Sequence, residues 1–156
     1  MAKPEFDIVV IGGGSGGLVV AAGGATLGAK VALVEKNRLG GDCLWHGCVP
    51  SKTLIKSARI AHQMREADRW ALPPVHPKPD LAKVMERVAD VIRGIEPNDS
   101  PERFRGLGVD VVFGDGRFVA PDAFEVNGRR LTARTFVIAT GSSFGPRNSG
   151  VTTDRQ

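Results

Sequence analysis

The first 35 residues leave this chain few folds to choose from. Phe6-Asp7-Ile8-Val9-Val10-Ile11 is a β-branched, apolar run, the composition of a parallel strand covered on both faces. It leads into Gly12-Gly13-Gly14-Ser15-Gly16-Gly17, which contains G-x-G-x-x-G at Gly12, Gly14 and Gly17. Glycines there allow a tight turn, close approach of backbone to a pyrophosphate, and close packing of helix on strand. The phosphates then meet the free N–H groups of the helix start. Leu18 to Leu27 is predicted as that helix, although Gly23 and Gly24 inside it each cost about 1 kcal/mol relative to alanine. Gly28 is placed to stop it. Lys30-Val31-Ala32-Leu33-Val34 reads as a second strand. Glu35 at its end falls about twenty residues past the glycine loop, where a carboxylate accepts from a ribose hydroxyl. In a chain with 20 glycines a bare glycine motif says little, and a structural turn is the bland alternative. Strand, loop, helix, strand and terminal acid in that order point to a dinucleotide site, without separating NAD from FAD.

A length of 156 residues suggests one domain able to bury a working core. The stretch from Ile8 to Ala29 is uncharged and long enough to span a bilayer, but its glycines break it into a short β-rich run and a later helix. The polar, acid-bearing start does not read as a cleavable leader, and a cytoplasmic protein is expected. The net charge of +4 is spread over scattered arginines with few aromatics between them, so no nucleic-acid surface is expected. Two cysteines are too few for a secreted disulfide scaffold, which favours an intracellular redox or catalytic pair.

Those two, Cys43 and Cys48, lie in Gly40-Gly-Asp-Cys-Leu-Trp-His-Gly-Cys-Val-Pro-Ser-Lys52. On a regular helix, residues five apart are roughly 8.7 Å apart at Cα, whereas a disulfide tolerates about 7 Å. A bridge between them therefore needs a break in the helix, and Gly47 is the residue expected to supply the backbone freedom. Pro50 suits a first helical turn after Cys48. A cysteine at a helix start has its thiolate favoured by the orphan N–H groups, and Lys52 would share its face. The pair reads as a redox-active dithiol; two unrelated buried thiols remain the alternative.

The same thirteen residues resemble the G-G-T-C-x-x-x-G-C-[IV]-P-S-K signature of class I pyridine nucleotide-disulfide oxidoreductases, which include dihydrolipoamide dehydrogenase, glutathione reductase and mercuric reductase. The resemblance spans residues 6 to about 142. It implies a Rossmann-like, three-layer ββα FAD/NAD(P)-binding fold and a flavoprotein oxidoreductase. It further implies that Gly12, Gly14, Ser15, Gly16 and Gly17, with Glu35 and Lys36, bind the ADP half of FAD. Gly41, Asp42, Cys43 and Lys52 would lie along the cofactor. Cys43 and Cys48 would form the redox disulfide, Cys48 nearer the flavin as the charge-transfer thiolate and Cys43 exchanging with substrate. Asp42 stands where the signature has threonine, and Trp45-His46 fills a variable pair. His46 raises a further idea, a soft-metal site with Cys43 and Cys48, but the spacing is not a usual zinc pattern and no metal residue is assigned. His62 and His76 are read as surface residues.

Beyond Lys52 the pattern is helical, with Leu54, Ile55, Ala58, Ala61 and Met64 on one stripe and an end near Trp70. Pro74, Pro77 and Pro79 mark a loop, and Asp80 offers an N-cap. Leu81, Val84, Met85, Val88, Val91, Ile92 and Ile95 form a second stripe, expected to pack on the first in an antiparallel pair. The last third reads as a β-meander: Val109–Phe113, Arg117–Ala120, Ala123–Val126, an Asn127-Gly128 turn of type I′ character, Arg129–Ala133, and a buried strand Thr135–Ala139. Its ending, Ala139-Thr140-Gly141-Ser142, resembles the family's A-T-G motif, and the resemblance places Thr140, Gly141 and Ser142 at the cofactor and Gly116 near the adenine.

Residues 1–142 are thus expected to form the N-terminal part of an FAD domain, truncated relative to the family, and 143–156 a disordered tail foreign to it. The family's NAD(P) domain, its C-terminal acid–base histidine and the domain through which it forms homodimers have no counterpart in these 156 residues, so a frameshift or truncation is expected. The reading is an NAD(P)H-linked, FAD-dependent enzyme passing electrons through Cys43–Cys48 to a thiol, disulfide or metal substrate. A standalone dinucleotide module and a thiol-based metal-binding protein are the alternatives.

Overall fold

A computed structural model describes residues 3–142; the expected tail, 143–156, lies outside them. The first strand, β1 (Phe6–Ile11), leads through the glycine loop into α1 (Ser15–Thr26) and back to β2 (Val31–Glu35). Two helices carry the cysteines, α2 (Gly41–Trp45) and α3 (Cys48–Arg65). A 3-10 turn and a proline-rich loop connect to α4 (Leu81–Ile95), and α5 (Pro101–Gly106) precedes β3 (Asp110–Phe113). The chain ends its described part with β4 (Gly116–Ala120), β5 (Ala123–Val126) and β6 (Arg129–Ile138).

One six-stranded sheet runs β3-β2-β1-β6-β5-β4. Its β3, β2, β1 and β6 are parallel, and β5 and β4 extend it antiparallel. Side chains alternate between faces with period two, and the core divides accordingly. Val10, Val31 and Leu33 pack with Leu18 and Ala21 of α1 and Phe104 of α5. Val9, Ala32 and Val34 pack with Phe124, Val126 and Leu131 of the meander. Helices α1 and α5 cover one face of the parallel strands, and the meander, continuous with them through β6, folds over the other, the three-layer ββα arrangement that the resemblance implies. Among the described residues no helix is long and apolar enough to cross a membrane.

The departures have local causes. The first helix starts at Ser15, three residues before Leu18, because Gly14 in extended conformation serves as N-cap and the next two glycines are already helical. It stops as expected. Gly28 is left-handed (φ +85°), with its N–H donating to Ala25 O and that of Ala29 to Gly24 O, a complete Schellman motif. A single ten-residue β6 replaces the two expected strands, its first half pairing with β5 and its second with β1. Asn127 and Gly128 have positive φ, as a type I′ turn requires. The helix α5 was not anticipated, although Ser100-Pro101-Glu102 signals it and the Ser100 hydroxyl accepts from Arg103 N–H at 3.3 Å.

The largest correction concerns α3. Its buried positions are Thr53 and Ala61, with Ser57 half-buried between them, while Leu54, Ile55, Ala58 and Met64 of the expected stripe are exposed. The inward face is turned by roughly a fifth of a turn from the apolar one. Thr53 tolerates burial because its hydroxyl donates to Val49 O at 2.8 Å. Small side chains there let α3 lie close to α4, whose Val88 is buried and whose Val84, Val91 and Ile92 are half-buried. Asp80 caps α4 as expected, accepting from Ala82 N–H at 3.0 Å.

Two glycines of α1 separate structural need from mere occurrence. A Cβ at Gly17 would run into the carbonyl oxygen of Gly12, whereas one at Gly23 would meet nothing within 4 Å. Gly17→Ala is expected to lose at least about 2 kcal/mol through overpacking, and Gly23→Ala to gain about 0.5–1 kcal/mol through helix propensity. Urea unfolding midpoints of the two variants check both signs.

Candidate functional site

The site grows from the turn between β1 and α1. Gly12 has φ +108° and packs on the Ala139 carbonyl at the end of β6, so the glycine loop and the Ala139–Ser142 segment are brought side by side. The N-terminus of α1 has no side-chain cap and no acid in its first turn. Its orphan N–H groups and dipole are therefore free for an anion. Glu35 closes the other side. Gly13 N–H donates to its Oε2 at 2.7 Å and Asn37 N–H to its Oε1 at 2.8 Å, fixing the carboxylate between the glycine loop and the segment that follows β2.

That segment returns to the loop again at Gly40, whose N–H donates to Gly13 O at 2.9 Å. Gly40 and Gly41 are both left-handed, φ +100° and +56°, and a Cβ at Gly41 would stand 2.6 Å from the Cα of Gly14. These two glycines give the entry to the cysteine segment its left-handed turn, and Gly47, at φ −111° and ψ −99°, stands at the break between the two helices. The Gly47 N–H donates to Asp42 O at 2.6 Å, and a side chain would press on that same oxygen. The helix breaks at His46-Gly47, so Cys43 lies inside α2 and Cys48 opens α3.

Both cysteines are free thiols, Cys43 half-buried and Cys48 exposed. The hydrogen bond with Cys43 and the charge Cys43 can carry push the Cys48 thiol above its usual range, with Lys52 pulling the other way. The expectation of a favoured Cys48 thiolate is thus reversed in this dithiol: two interacting thiols titrate as a pair, and the neighbouring sulfur outweighs the helix start and Lys52. Among the described residues no group of three or more His, Cys, Asp or Glu is gathered so as to hold an ion.

A cleft of about 1020 Å³ runs along these elements, lined by Gly12, Gly14, Ser15 and Gly16, by Glu35 and Lys36, by Gly41, Asp42 and Cys43, and by Thr140, Gly141 and Ser142. A smaller cleft of about 310 Å³ shares Gly12, Glu35, Lys36 and Thr140 with it and extends to Gly116, Phe118 and Phe124. Of the residues singled out in the sequence, Gly17 packs beneath the loop, and Cys48 and Lys52 line neither cleft. Sequence reasoning missed Asn37, Arg38, Trp45, His46 and Ala139, all of which line the larger cleft. The signal for Ala139 was its place in the A-T-G ending; Arg38 and Trp45 have no motif, and only the fold brings them together, with the guanidinium 3.7 Å from the indole centroid.

The description "Pyridine nucleotide-disulphide oxidoreductase" matches residues 6–154 as a family model. The chain belongs to this family. The match extends past Ser142, where the motif resemblance ends. Curated relatives agree: a dihydrolipoyl dehydrogenase of Acholeplasma laidlawii is 38% identical over 140 residues, covering 89% of this chain and 41% of the relative. One of Bacillus subtilis is 36% identical, covering 88% and 32%, and a mercuric reductase of Bacillus cereus is 32% identical, covering 89% and 22%. The chain therefore spans between about a fifth and two fifths of the length of these relatives. Members of this oxidoreductase family use FAD and NAD(P)H.

The thiol pair gives a pH test. Cys43→Ala removes the neighbour that raises Cys48, so the alkylation-rate profile of Cys48 should move to lower pH. Lys52→Met removes the opposing charge and should move it to higher pH. Iodoacetamide rates between pH 6 and pH 10, read by mass spectrometry on the Cys48 peptide, check both directions, and an unmoved profile in Cys43→Ala contradicts the coupling.

Proposed function

We propose that residues up to Ser142 are the FAD-binding, dithiol-bearing part of an NAD(P)H-linked disulfide oxidoreductase. The observation that carries this reading is one cleft lined at once by the uncapped start of α1, by Glu35 and by Cys43. The chain fits FAD on its own geometry. Backbone crowding at Gly12 and Gly41 keeps side chains off those two positions of the cradle, and the N–H groups of Ser15 and Gly16 are placed for a pyrophosphate. Glu35, already holding two backbone N–H groups, keeps further lone pairs for a ribose hydroxyl. The smaller cleft, with Gly116 at its wall and Phe118 and Phe124 inside, offers an apolar recess for the adenine. When bound, FAD supplies a two-electron acceptor and donor.

Cys43 and Cys48 do the rest of the chemistry on this chain. Closing them as a disulfide breaks two S–H bonds, forms one S–S bond and releases two electrons and two protons; opening the disulfide reverses each of these. Cys43 is half-buried on the cleft, whereas Cys48 is exposed at the start of α3 and lines neither cleft; this order is opposite to the one the resemblance implies, with Cys48 toward the flavin and Cys43 toward an incoming thiol. Lys52 on α3 favours the thiolate form of Cys48. By the names of the relatives, the substrate class is a dihydrolipoyl group or a mercuric ion.

Titrating the chain into FAD should quench flavin fluorescence saturably at one flavin per chain, with ADP competing. Glu35→Gln should weaken binding about tenfold or more, as expected for a lost charge-assisted hydrogen bond. Saturable binding of NAD in place of FAD would favour the standalone dinucleotide reading, and a folded chain that binds neither would end the proposal.

A further inference from the structure

Trp45 stands in the variable pair of the cysteine signature and has no role in the reading above. In the structure it makes two contacts backwards along the chain. Its Nε1–H donates to Leu39 O at 2.8 Å, and its ring carries the Arg38 guanidinium 3.7 Å from the centroid, within stacking range for a cation–π pair. Both contacts fall on the segment that joins β2 to α2. The same segment supplies the Asn37 N–H to Glu35 and the Gly40 N–H to Gly13. Leu39 is buried, and its side chain fills the space beside Gly13.

Arg38 and Trp45 also form a wall. Together with Asn37 they line both the dinucleotide cleft and a separate cleft of about 490 Å³ bounded by Pro97, Pro101 and Phe113. The stack is thus a partition between two open spaces. Trp45 is half-buried and held by its bond to Leu39 O, whereas Arg38 is exposed and has no carboxylate partner among the described residues.

We propose that Arg38 and Trp45 are positioning residues for the dinucleotide: a stacked latch that holds the Lys36–Gly40 segment as the cleft wall and so keeps Glu35 and the glycine loop in binding geometry. The inference rests on the reading of the cleft as an FAD site. The latch acts through Asn37 and Gly40, whose N–H groups it keeps on Glu35 and Gly13, and it ties that wall to α2, the helix that carries Cys43.

The test uses the whole chain with Trp45→Ala, Trp45→Phe, Arg38→Gln, Arg38→Lys and the Trp45→Ala/Arg38→Gln double variant. Two quantities are read, the FAD dissociation constant and hydrogen exchange of the Asn37 and Gly40 amides, with the β1 amides as a control for the fold. Trp45→Ala, which loses the stack and the bond to Leu39 O, should weaken FAD about tenfold, and Arg38→Gln, which loses the stack alone, about threefold to fivefold. Trp45→Phe and Arg38→Lys, which keep a cation over a ring, should recover most of that. The double variant should bind about as weakly as Trp45→Ala alone, since the two residues act as one unit. Exchange at Asn37 and Gly40 should quicken in Trp45→Ala while β1 stays protected. Unchanged FAD affinity in both single variants, or full additivity in the double, overturns the latch. If the parent chain binds no FAD, that defeats the cofactor reading alone: exchange then decides the latch, which stands if Asn37 and Gly40 quicken in Trp45→Ala and falls if they do not.

Discussion

The contact between Gly17 and the Gly12 carbonyl oxygen allows no side chain at position 17, and most of the site follows from it. With α1 seated that tightly on the end of β1, its first N–H groups open onto the space above the sheet instead of onto a side chain. Gly13 is then held out toward Glu35, and Gly40 can reach back to the same turn. One backbone–backbone approach thereby fixes a helix terminus, an acid and the entry to the cysteine segment relative to one another. Hydrogen bonds to Glu35 stabilise the arrangement, but sterics set it, because those bonds exist only where the two chain segments already meet.

Legibility in the sequence followed the range of the cause. Strand β1, the glycine loop, β2 and Glu35 were readable because parallel strands and tight turns constrain residue type locally. The Asn127-Gly128 turn and the Asp80 cap were readable for the same reason. The buried face of α3 was not, because apolar periodicity passes over Thr53 and Ser57, whose small size suits a close helix contact and whose hydroxyls can be satisfied within the helix. Leu54 and Ile55 looked inward on hydrophobicity and are exposed. Within the site, the glycines, Glu35 and Thr140 to Ser142 came from motifs. Arg38 and Trp45 did not, since a stack between residues seven apart depends on the path of the chain between them.

The cysteine segment illustrates how position outweighs residue type. A thiol at the start of an 18-residue helix with a lysine four residues on should by itself be acidic. The neighbouring Cys43 reverses the direction for Cys48, its influence outweighing the opposing charge of Lys52. The left-handed pair Gly40-Gly41 and the break at His46-Gly47 set the two cysteines on separate helices, Cys43 in α2 and Cys48 at the start of α3. Spacing alone required only that the helix be interrupted.

The shared strand β6 has a consequence for how the molecule is assembled. Glu5 and Thr132, joined by a hydrogen bond, are 127 residues apart in sequence, and β1 has β6 as one of its two sheet neighbours. The β4–β5–β6 hairpins close over short loops and form early on topological grounds, while the β1–β6 pairing must close a long one. During synthesis β1 therefore waits with an unpaired edge until residues beyond 130 have emerged. The Ala139–Ser142 wall of the cleft, which follows β6, thus takes its place beside the glycine loop only once that pairing has formed.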